Sequence, residues 1–436
     1  MKKNRPSSMV GMTSTPKTIA RKDGMGVTPQ KTDIMIEFDC QFRVCLKDCR
    51  LMTLLAGFCS LLPQILADFL EKALVGYGEM VMTWFHKPFN CDKCGNDQEF
   101  TWKTRHGKLT KILTTFLWVS LHQLQVQCHK CGHKFYITRS LLGLERRKRI
   151  PMEVLRKLGL IGSLTTYRVA AKIVSTFGWV IDKMTIWKAV QKTAAEIQFS
   201  LDPEEEPRGE ADGTGIGING IKKRGQEVKV FVQYKKDGGV RVAGLDIGPY
   251  NGGWAKLFKN SLEVFKTFKN FLLLTDGDTS ILDGLKNKVT VLFQRCLWHI
   301  PYQLKYALWK DKKHVTRKSP EWHHIMGEVF DICAIRFGVE EEETIKAMIA
   351  AKLKRLEEVI AYCRERGCQA TVAYLQNAKG DLFTAISNRL QGKTTSRVER
   401  LFRTVNMRVN VGKWSTSGGL NVTKVRLAYY YNGFDA

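Results

Sequence analysis

Three carboxylates in the C-terminal half of this 436-residue chain have positions that suit metal-dependent chemistry on phosphate esters. Asp212 lies in a predicted strand, Asp276 follows a short apolar strand, and Glu399 lies on an amphipathic helix beside its apolar stripe. Charges at the ends of buried strands are normally paired or bound to a metal, and neighbouring carboxylates repel unless a cation lies between them. The three acids therefore predict a site for Mg²⁺ or Mn²⁺ that supports two-metal phosphoryl transfer.

Asp278 competes with Asp276 for the second position, because it lies only two residues further along the chain. We favour Asp276 because it follows the apolar strand directly. Taken singly, an Asp-Gly pair after a strand is typical of a turn, and a Glu on an amphipathic helix is typical of a solvated surface. The prediction therefore depends on all three acids occurring in this order along the predicted elements.

The elements that must position these acids follow from hydrophobic periodicity. Period-two alternation predicts three strands, and the Lys-Asp-Gly-Gly segment at residues 236–239 predicts a hairpin turn between the second and the third. The predicted order is strand, strand, strand, helix, strand, helix, strand, over residues 210–218, 227–235, 240–247, 254–268, 271–275, 279–285 and 289–293. Residues 296–385 are mostly helical, and a last helix spans residues 395–410. If the first and fourth strands are neighbours, Asp212 and Asp276 come close together.

A Cys-x-x-His element, Cys296-Leu297-Trp298-His299, follows the last predicted strand. One interpretation is an accessory element of the catalytic site, near the target phosphodiester. The other is a buried thiol and a hydrogen-bonded histidine that pack the following helices. Two ligands alone do not form a zinc site, so the sequence leaves both interpretations open.

The ordered set of these motifs resembles the mutator-type DDE transposases of bacterial and archaeal insertion sequences, which have an RNase H-like core. The likeness covers residues 209–434 and includes the segment 394–403, which is followed by Trp414-Ser415. It implies a catalytic domain over 209–436 with a helical insertion at about 300–394. It further implies Asp212, Asp276 and Glu399 as catalytic residues, cleavage at transposon ends, strand transfer into target DNA, and a homodimer or higher oligomer on DNA.

Four cysteines form two matching pairs, in which Cys-x-x-Cys is followed by glycine. Four thiolates satisfy a tetrahedral Zn²⁺ with no open position, so we expect a structural zinc ribbon over residues 89–140. Strands are predicted at 100–104 and 121–126, and a redox role for the pairs is the alternative. The predicted zinc ligands are Cys91, Cys94, Cys128 and Cys131.

Residues 150–198 predict a helix-turn-helix that binds DNA. Apolar spacing indicates a helix over 164–177, a break at Gly178 and a second helix over 182–190, capped by Asp182 or Thr185. Two core-packing helices without DNA contact are the alternative. The side chains predicted to contact the groove or the phosphates are Lys183, Lys188, Gln191 and Lys192.

Composition points to a polyanionic partner. The chain has 69 Lys and Arg against 42 Asp and Glu, a formal charge of +27, and 44% hydrophobic residues, which excludes a disordered protein. The partner that fits the motifs is double-stranded DNA, both transposon ends and target, although an anionic membrane surface would match the charge alone. The paired cysteines and the lack of a signal peptide predict a cytoplasmic, nucleoid-associated protein.

The N-terminal region divides into a basic flexible tail over residues 1–32 and an apolar helical segment over 33–88. Residues 51–70 nearly reach the length of a membrane span but contain Pro63, Gln64 and Asp68, so we expect a buried helical hairpin and no membrane span. The chain is thus predicted to be a multidomain α/β protein: an RNase H-like mixed sheet with a helical insertion, preceded by the zinc ribbon and the helix-turn-helix. An RNase H-like nuclease or resolvase, and a non-catalytic DNA-binding protein derived from a transposase, are the functional alternatives.

Overall fold

The computed structural model describes residues 51–115, 117–144, 148–221, 225–250, 252–285, 288–335, 341–392 and 394–434. The chain divides into two compact units. The first contains the chain up to Lys157 together with Ala171–Lys183, and the second contains Leu158–Ala170 together with the chain from Met184 onward. The predicted basic tail and the start of the apolar helical segment, residues 1–50, lie outside the described residues.

The first unit combines a long helix with five short strands. The long helix, α1, spans Leu51–Thr83, and a short helix α2 spans Thr138–Leu141. The strands are β1 Phe100–Thr104, β2 Leu109–Leu113, β3 Trp118–His122, β4 Gln125–Cys128 and β5 Lys134–Tyr136. Strands β1, β4 and β5 form an antiparallel sheet in the order β1-β4-β5, and β2 pairs with β3. The single strand predicted over 121–126 is therefore two strands, each paired with a different partner.

The predicted helical hairpin at residues 51–70 is wrong, because α1 continues through Pro63 as one helix of 33 residues. A proline within a helix removes one hydrogen bond but does not by itself reverse the chain. The second half of α1 is stabilised by packing, since Leu74 and Val81 are buried in the same core as Val119 and Leu121 of β3. Among the residues that the structure describes, no helix has the length and apolar character needed to cross a membrane.

Three helices follow. Helix α3 spans Met152–Leu164, α4 spans Tyr167–Thr176 and α5 spans Lys183–Glu196. The two helices predicted around Gly178 are confirmed, with bounds shifted by a few residues. Helix α5 begins directly after Asp182, whereas Thr185 lies inside it.

A five-stranded mixed sheet forms the centre of the second unit. Its strands are β6 Arg208–Gly215, β7 Gln226–Tyr234, β8 Val240–Pro249, β9 Leu272–Thr275 and β10 Leu292–Arg295. The order across the sheet is β10-β9-β6-β7-β8; β6, β7 and β8 pair antiparallel, and β6, β9 and β10 pair parallel. The predicted order of strands is confirmed, although the last strand begins at Leu292 and not at residue 289.

Helices cover both faces of this sheet. On one face lie α6 Trp254–Phe258, α7 Leu262–Phe265 and α8 Thr279–Leu285, so the helix predicted over 254–268 is divided by a 3-10 turn at Lys259–Ser261. On the other face lie α14 Ser396–Val409 and α15 Thr416–Tyr431. Strand β7 is buried along nearly its whole length because it is covered on both sides.

The helices between β10 and α14 have a hydrophobic core of their own. They are α9 His299–Lys310, α10 Pro320–Cys333, α11 Glu342–Glu365, α12 Gln369–Lys379 and α13 Thr384–Ser387. The protein is thus a mixed α/β protein with several sheets, one of which is mixed.

Candidate metal centres

Asp212 lies on β6, and Asp276 directly follows the neighbouring parallel strand β9. The register of β6 with β9 pairs Glu210 with Leu274, so both acids lie two residues beyond the last paired position. Burial of the carboxylate, and then the negative charge of Asp276, raise the pKa of Asp212 to about 8. The negative charge of Asp276 therefore disfavours ionisation of Asp212, and a bound cation would offset this repulsion.

Glu399 reaches the same edge of the sheet from the first turn of α14. Its Oε1 lies 3.3 Å from Nε2 of His299, and the Glu399 side chain is 40% exposed. Ligand atoms of Asp212, His299 and Glu399 all lie within 4.8 Å of one another. Asp276 is not part of this set; together with His299 it lines an adjoining cavity of about 610 Å³. The structure therefore brings the three predicted acids to one region and adds His299 to them.

The Cys-x-x-His element connects the end of β9 to the start of α14. The backbone N of Cys296 donates to the carbonyl of Thr275 at 2.7 Å, and the backbone N of Thr395 donates to the Cys296 thiol at 3.3 Å. Cys296 is fully buried. Cys296 is therefore placed as a packing and hydrogen-bonding residue.

His299 lies closer to the acids than Cys296 does. Burial opposes protonation of the His299 imidazole, but the Cys296 thiol and the charges of Asp212 and Glu399 raise its pKa to about 9. The neighbouring acids therefore favour the protonated form of the imidazole, which lies within 4.8 Å of Asp212 and Glu399.

The turn that carries Asp276 requires glycine at the next position. Gly277 has φ +99°, and a Cβ there would lie 2.5 Å from a guanidinium nitrogen of Arg295. Arg295 is buried and binds Asp381 in two places, Nε to Oδ1 at 2.8 Å and Nη2 to Oδ2 at 2.9 Å. The buried Arg295–Asp381 ion pair therefore packs directly against the turn at Gly277.

Asp278 has a separate structural role. Its Oδ1 accepts a hydrogen bond from the backbone N of Ser280 at 2.9 Å, and its Oδ2 accepts from the Ser280 hydroxyl at 2.6 Å. These bonds satisfy donors in the first turn of α8. Asp276 accepts hydrogen bonds from the backbone N of Asp278 at 3.0 Å and from the Gln303 amide at 3.4 Å, and both acids line the cavity. The charge of Asp276 raises the pKa of Asp212, which favours Asp276 over Asp278 as the partner of Asp212.

Glu210 is a residue of this region to which sequence reasoning assigned no role. Its side chain is fully buried, its Oε2 accepts a hydrogen bond from the backbone N of Val398 at 2.8 Å, and its Oε1 accepts one from the Tyr234 hydroxyl. Burial raises the pKa of Glu210. The sequence did contain a signal for this buried role, because Glu210 lies two positions before Asp212 and therefore on the same face of the predicted strand.

A second buried charge lies on β7. The Lys229 ammonium has no exposed surface, donates to Glu227 and lies 4.5 Å from the centre of the Trp254 ring. A Cβ on Gly213 would lie 2.5 Å from the Glu227 carboxylate, so this ion pair packs directly against the residue that follows Asp212. The sequence contained a signal for this ion pair, because Lys229 lies within an otherwise apolar strand, where a charged side chain needs a partner.

The four paired cysteines come together in the first unit. Cys91 Sγ lies 3.5 Å from Cys131 Sγ, and Cys94 Sγ lies 3.7 Å from Cys128 Sγ; all four atoms lie within 4.8 Å of one another. A tetrahedron with metal–sulfur bonds of about 2.3 Å has edges of roughly 3.8 Å, so the cluster can hold one metal ion such as Zn²⁺.

Two features of the backbone and one side chain support the cysteine cluster. Gly95 and Gly132 have φ of +71° and +70°, the left-handed conformation that lets each loop turn around its pair. The Asn96 amide nitrogen lies 3.5 Å from Cys128 Sγ. Asn96 therefore contacts one of the four cysteine sulfurs directly, a role that the pattern of cysteines did not indicate.

The four predicted DNA-contacting residues of α5 divide into two groups. Lys183 and Lys188 are exposed, and Lys192 is half-buried. Gln191 is turned towards the protein, because its Oε1 accepts a hydrogen bond from the Asn421 amide at 2.6 Å.

No protein-family model matches the chain, and a comparison with curated proteins finds no match either.

Proposed function

We propose that this protein is a DNA transposase of the mutator-type DDE class, which cleaves DNA at the ends of a mobile element and joins those ends to target DNA. The observation that carries this proposal is the convergence of Asp212, Asp276 and Glu399, from two strands and a distant helix, at one edge of the mixed sheet. Three carboxylates held close together repel one another, which destabilises the folded protein. Cations bound between them would remove this repulsion, so a function that uses bound cations explains the arrangement.

The topology of the second unit supports an RNase H-like catalytic domain. Three antiparallel strands are followed by two parallel ones, in the order β10-β9-β6-β7-β8. The acids lie on the first of these strands, after the fourth, and on a helix that packs on the sheet after a helical insertion. This is the order of elements that the resemblance to DDE transposases implies.

The donor set fits divalent cations that prefer oxygen. Asp212, Asp276 and Glu399 would hold two Mg²⁺ or Mn²⁺ ions, which when bound supply activation of a water or 3′ hydroxyl and stabilisation of the leaving oxygen. Gln303 orients Asp276 through the contact at 3.4 Å, and Glu210 orients the helix that carries Glu399. His299, 3.3 Å from Glu399 and with its pKa raised by the nearby acids, would donate a hydrogen bond to a phosphodiester held at these residues.

The other parts of the chain fit the binding of double-stranded DNA. The formal charge of +27 favours contact with many phosphates, and Lys183 and Lys188 lie exposed on the second helix of the proposed helix-turn-helix. The proposed zinc ribbon, with its cysteine cluster closed by four thiolates, has a structural role. Joining two ends at one target would require a dimer or higher oligomer on DNA.

The test is strand cleavage and joining on double-stranded DNA that carries the sequences flanking the gene, with Mg²⁺ or Mn²⁺. The variants are D212N, D276N and E399Q, and the matched control is D283N, which changes an exposed carboxylate on α8. We expect the control to match the wild type, while each of the three variants binds DNA but loses activity by at least about a hundredfold.

Two other outcomes would contradict the proposal. Cleavage without joining, abolished by the same three variants, would assign the site to a nuclease. Equal behaviour of all four variants and the wild type would make the acids structural and leave a DNA-binding protein.

A further inference from the structure

Helix α9 has an exposed aromatic face that the proposed chemistry does not use. Trp298, Tyr302, Tyr306 and Trp309 are 56%, 51%, 65% and 63% exposed. Their spacing of four, four and three residues sets them along one side of the helix. We refer to these four side chains as the aromatic stripe.

The opposite side of α9 accounts for the packing of this helix. Ile300, Leu304 and Leu308 are buried in the core of the helical region. The aromatic stripe therefore adds little to that core, and within the described part of the chain it remains open to solvent. Exposed apolar side chains such as Phe177 and Phe330 occur elsewhere in the chain. The aromatic stripe differs from them because four large aromatic side chains follow one face of one helix, which indicates a binding surface.

The geometry of the stripe suits flat ligands. The rings of Trp298 and Tyr302 are stacked, with centroids 5.5 Å apart and an angle of 17° between their planes. Parallel rings of this kind match the arrangement in which nucleobases stack on aromatic side chains. The stripe is also interleaved with cations, because Lys305 lies 5.2 Å from the Tyr302 ring and Lys312 lies 5.1 Å from the Trp309 ring.

The stripe begins at the candidate catalytic site. Tyr302, Tyr306 and Lys310 line the same cavity of about 610 Å³ as Asp276 and His299. A ligand stacked on this stripe would therefore lie beside the carboxylates.

Aromatic rings alternating with lysines match a single-stranded nucleic acid better than an apolar protein partner. Bases stack on aromatic side chains whatever their sequence, and lysines contact the phosphates between them. An apolar protein surface would leave Lys305, Lys310 and Lys312 without partners. A regular duplex would offer its phosphates but not its base faces, which are stacked inside the helix.

We propose that the aromatic stripe binds unpaired nucleobases of a DNA strand, with Lys305, Lys310 and Lys312 on its phosphates, and so holds an opened DNA end next to Asp276. The position of that end rests on the proposed function, whereas the binding itself does not require catalysis. A binding measurement without divalent cations therefore tests the stripe separately from the acids.

The experiment measures the affinity of the full chain for a labelled single-stranded oligonucleotide, and for a blunt duplex of the same sequence, by fluorescence anisotropy. The variants are W298A, Y302A and Y306A, with W298F and Y302F as conservative changes that keep a ring. F330A, which removes an exposed aromatic side chain on α10, is the matched control. Y302A and Y306A do not adjoin His299 in the chain, so they keep the test valid if W298A folds poorly.

We expect each alanine variant to weaken single-strand binding by about tenfold while duplex binding is unchanged, and each phenylalanine variant to recover most of the affinity. Tryptophan fluorescence should be quenched on binding in the wild type and less so in W298A. Unchanged single-strand affinity in all three alanine variants, or an equal loss in F330A, would overturn the inference. Tighter binding of single-stranded RNA than of DNA with the same sequence would also overturn it.

Failure of this inference is distinguishable from failure of the proposed function. If the stripe variants weaken single-strand binding while the acid variants all cleave like the wild type, the stripe is a binding site and the DDE assignment is wrong. If the acid variants abolish cleavage while the stripe variants bind single strands normally, the DDE assignment stands and the stripe inference is wrong.

Discussion

The Oε2 atom of Glu210 accepts a hydrogen bond from the backbone N of Val398 at 2.8 Å. Val398 lies in the first turn of α14, where backbone donors have no partner within the helix. Glu399 follows at the next position, and Asp212 lies two residues after Glu210 on the same strand. One buried carboxylate therefore connects the strand that carries one candidate metal ligand to the helix that carries another.

We expect E210A to impair both stability and activity. The change leaves Val398 N and the Tyr234 hydroxyl without their buried acceptor, which costs about 1–3 kcal/mol of the free energy of unfolding. The start of α14 then loses its attachment, so the Mn²⁺ concentration for half-maximal cleavage should rise several-fold. Urea unfolding and a Mn²⁺ titration of cleavage measure the two effects.

E210Q is the conservative comparison, because its amide oxygen can still accept from Val398 N. E210Q should therefore need nearly the same Mn²⁺ concentration for half-maximal cleavage as the wild type. If E210A loses stability but needs no more Mn²⁺ than the wild type, Glu210 is structural only and does not position Glu399.

Substitution of the cysteine cluster should remove a bound metal ion. The four sulfur atoms suit one tetrahedral Zn²⁺, so the wild type should contain about one zinc per chain and C91S or C128S close to none. Elemental analysis of the purified proteins measures this. C59S is the control because Cys59 is exposed and outside the cluster. Full zinc content in C91S and C128S would place the metal elsewhere.

Asp212 should destabilise the protein when divalent cations are absent. Burial and the charge of Asp276 raise its pKa from 3.8 to about 8, so the folded state binds this proton more tightly than the unfolded state. The stability that the bound proton provides is complete below about pH 4 and is lost as the pH rises through 8.

D212N removes this ionisation. In buffer without added Mg²⁺ or Mn²⁺, it should raise the melting temperature at pH 8 by a few degrees and change it little at pH 4. Thermal unfolding at the two pH values is the measurement, with D283N as the exposed control. A lower melting temperature for D212N at pH 8 would mean that the ionised carboxylate is stabilised by its surroundings.

The exposed lysines of α5 should contribute to the salt dependence of DNA binding. Each phosphate contact that is lost reduces the slope of log affinity against log salt by about 1. K183A and K188A should each show this reduction on duplex DNA. Q191A is an informative comparison, since Gln191 bonds to Asn421 and its loss should lower stability without changing the slope. Unchanged slopes for both lysine variants would contradict a DNA-contacting role for this face of α5.

The sequence by itself determined the parts of this protein that depend on local pattern. Alternation of apolar and polar residues predicted β6, β7 and β8, the apolar run before Asp276 predicted β9, and the helical region after β10 was also anticipated. The spacing within each Cys-x-x-Cys pair predicted its local geometry, because a short loop brings the two thiols together; that the two pairs meet was inferred from the four ligands that Zn²⁺ requires. These features succeed because their physical causes act within a few residues along the chain.

Only the tertiary structure decided which distant groups meet. Glu210 and Val398 are 188 residues apart, and Gln294 bonds to Leu382 across 88 residues. Helix α1 continues through Pro63 because its second half packs on β3, although the local sequence suggested a turn. His299 joins Asp212 and Glu399 because strand β6 and the first turns of α9 and α14 meet at one edge of the sheet. Such contacts form because distant segments pack together, and the free energy of that packing cannot be read from the sequence of one segment alone.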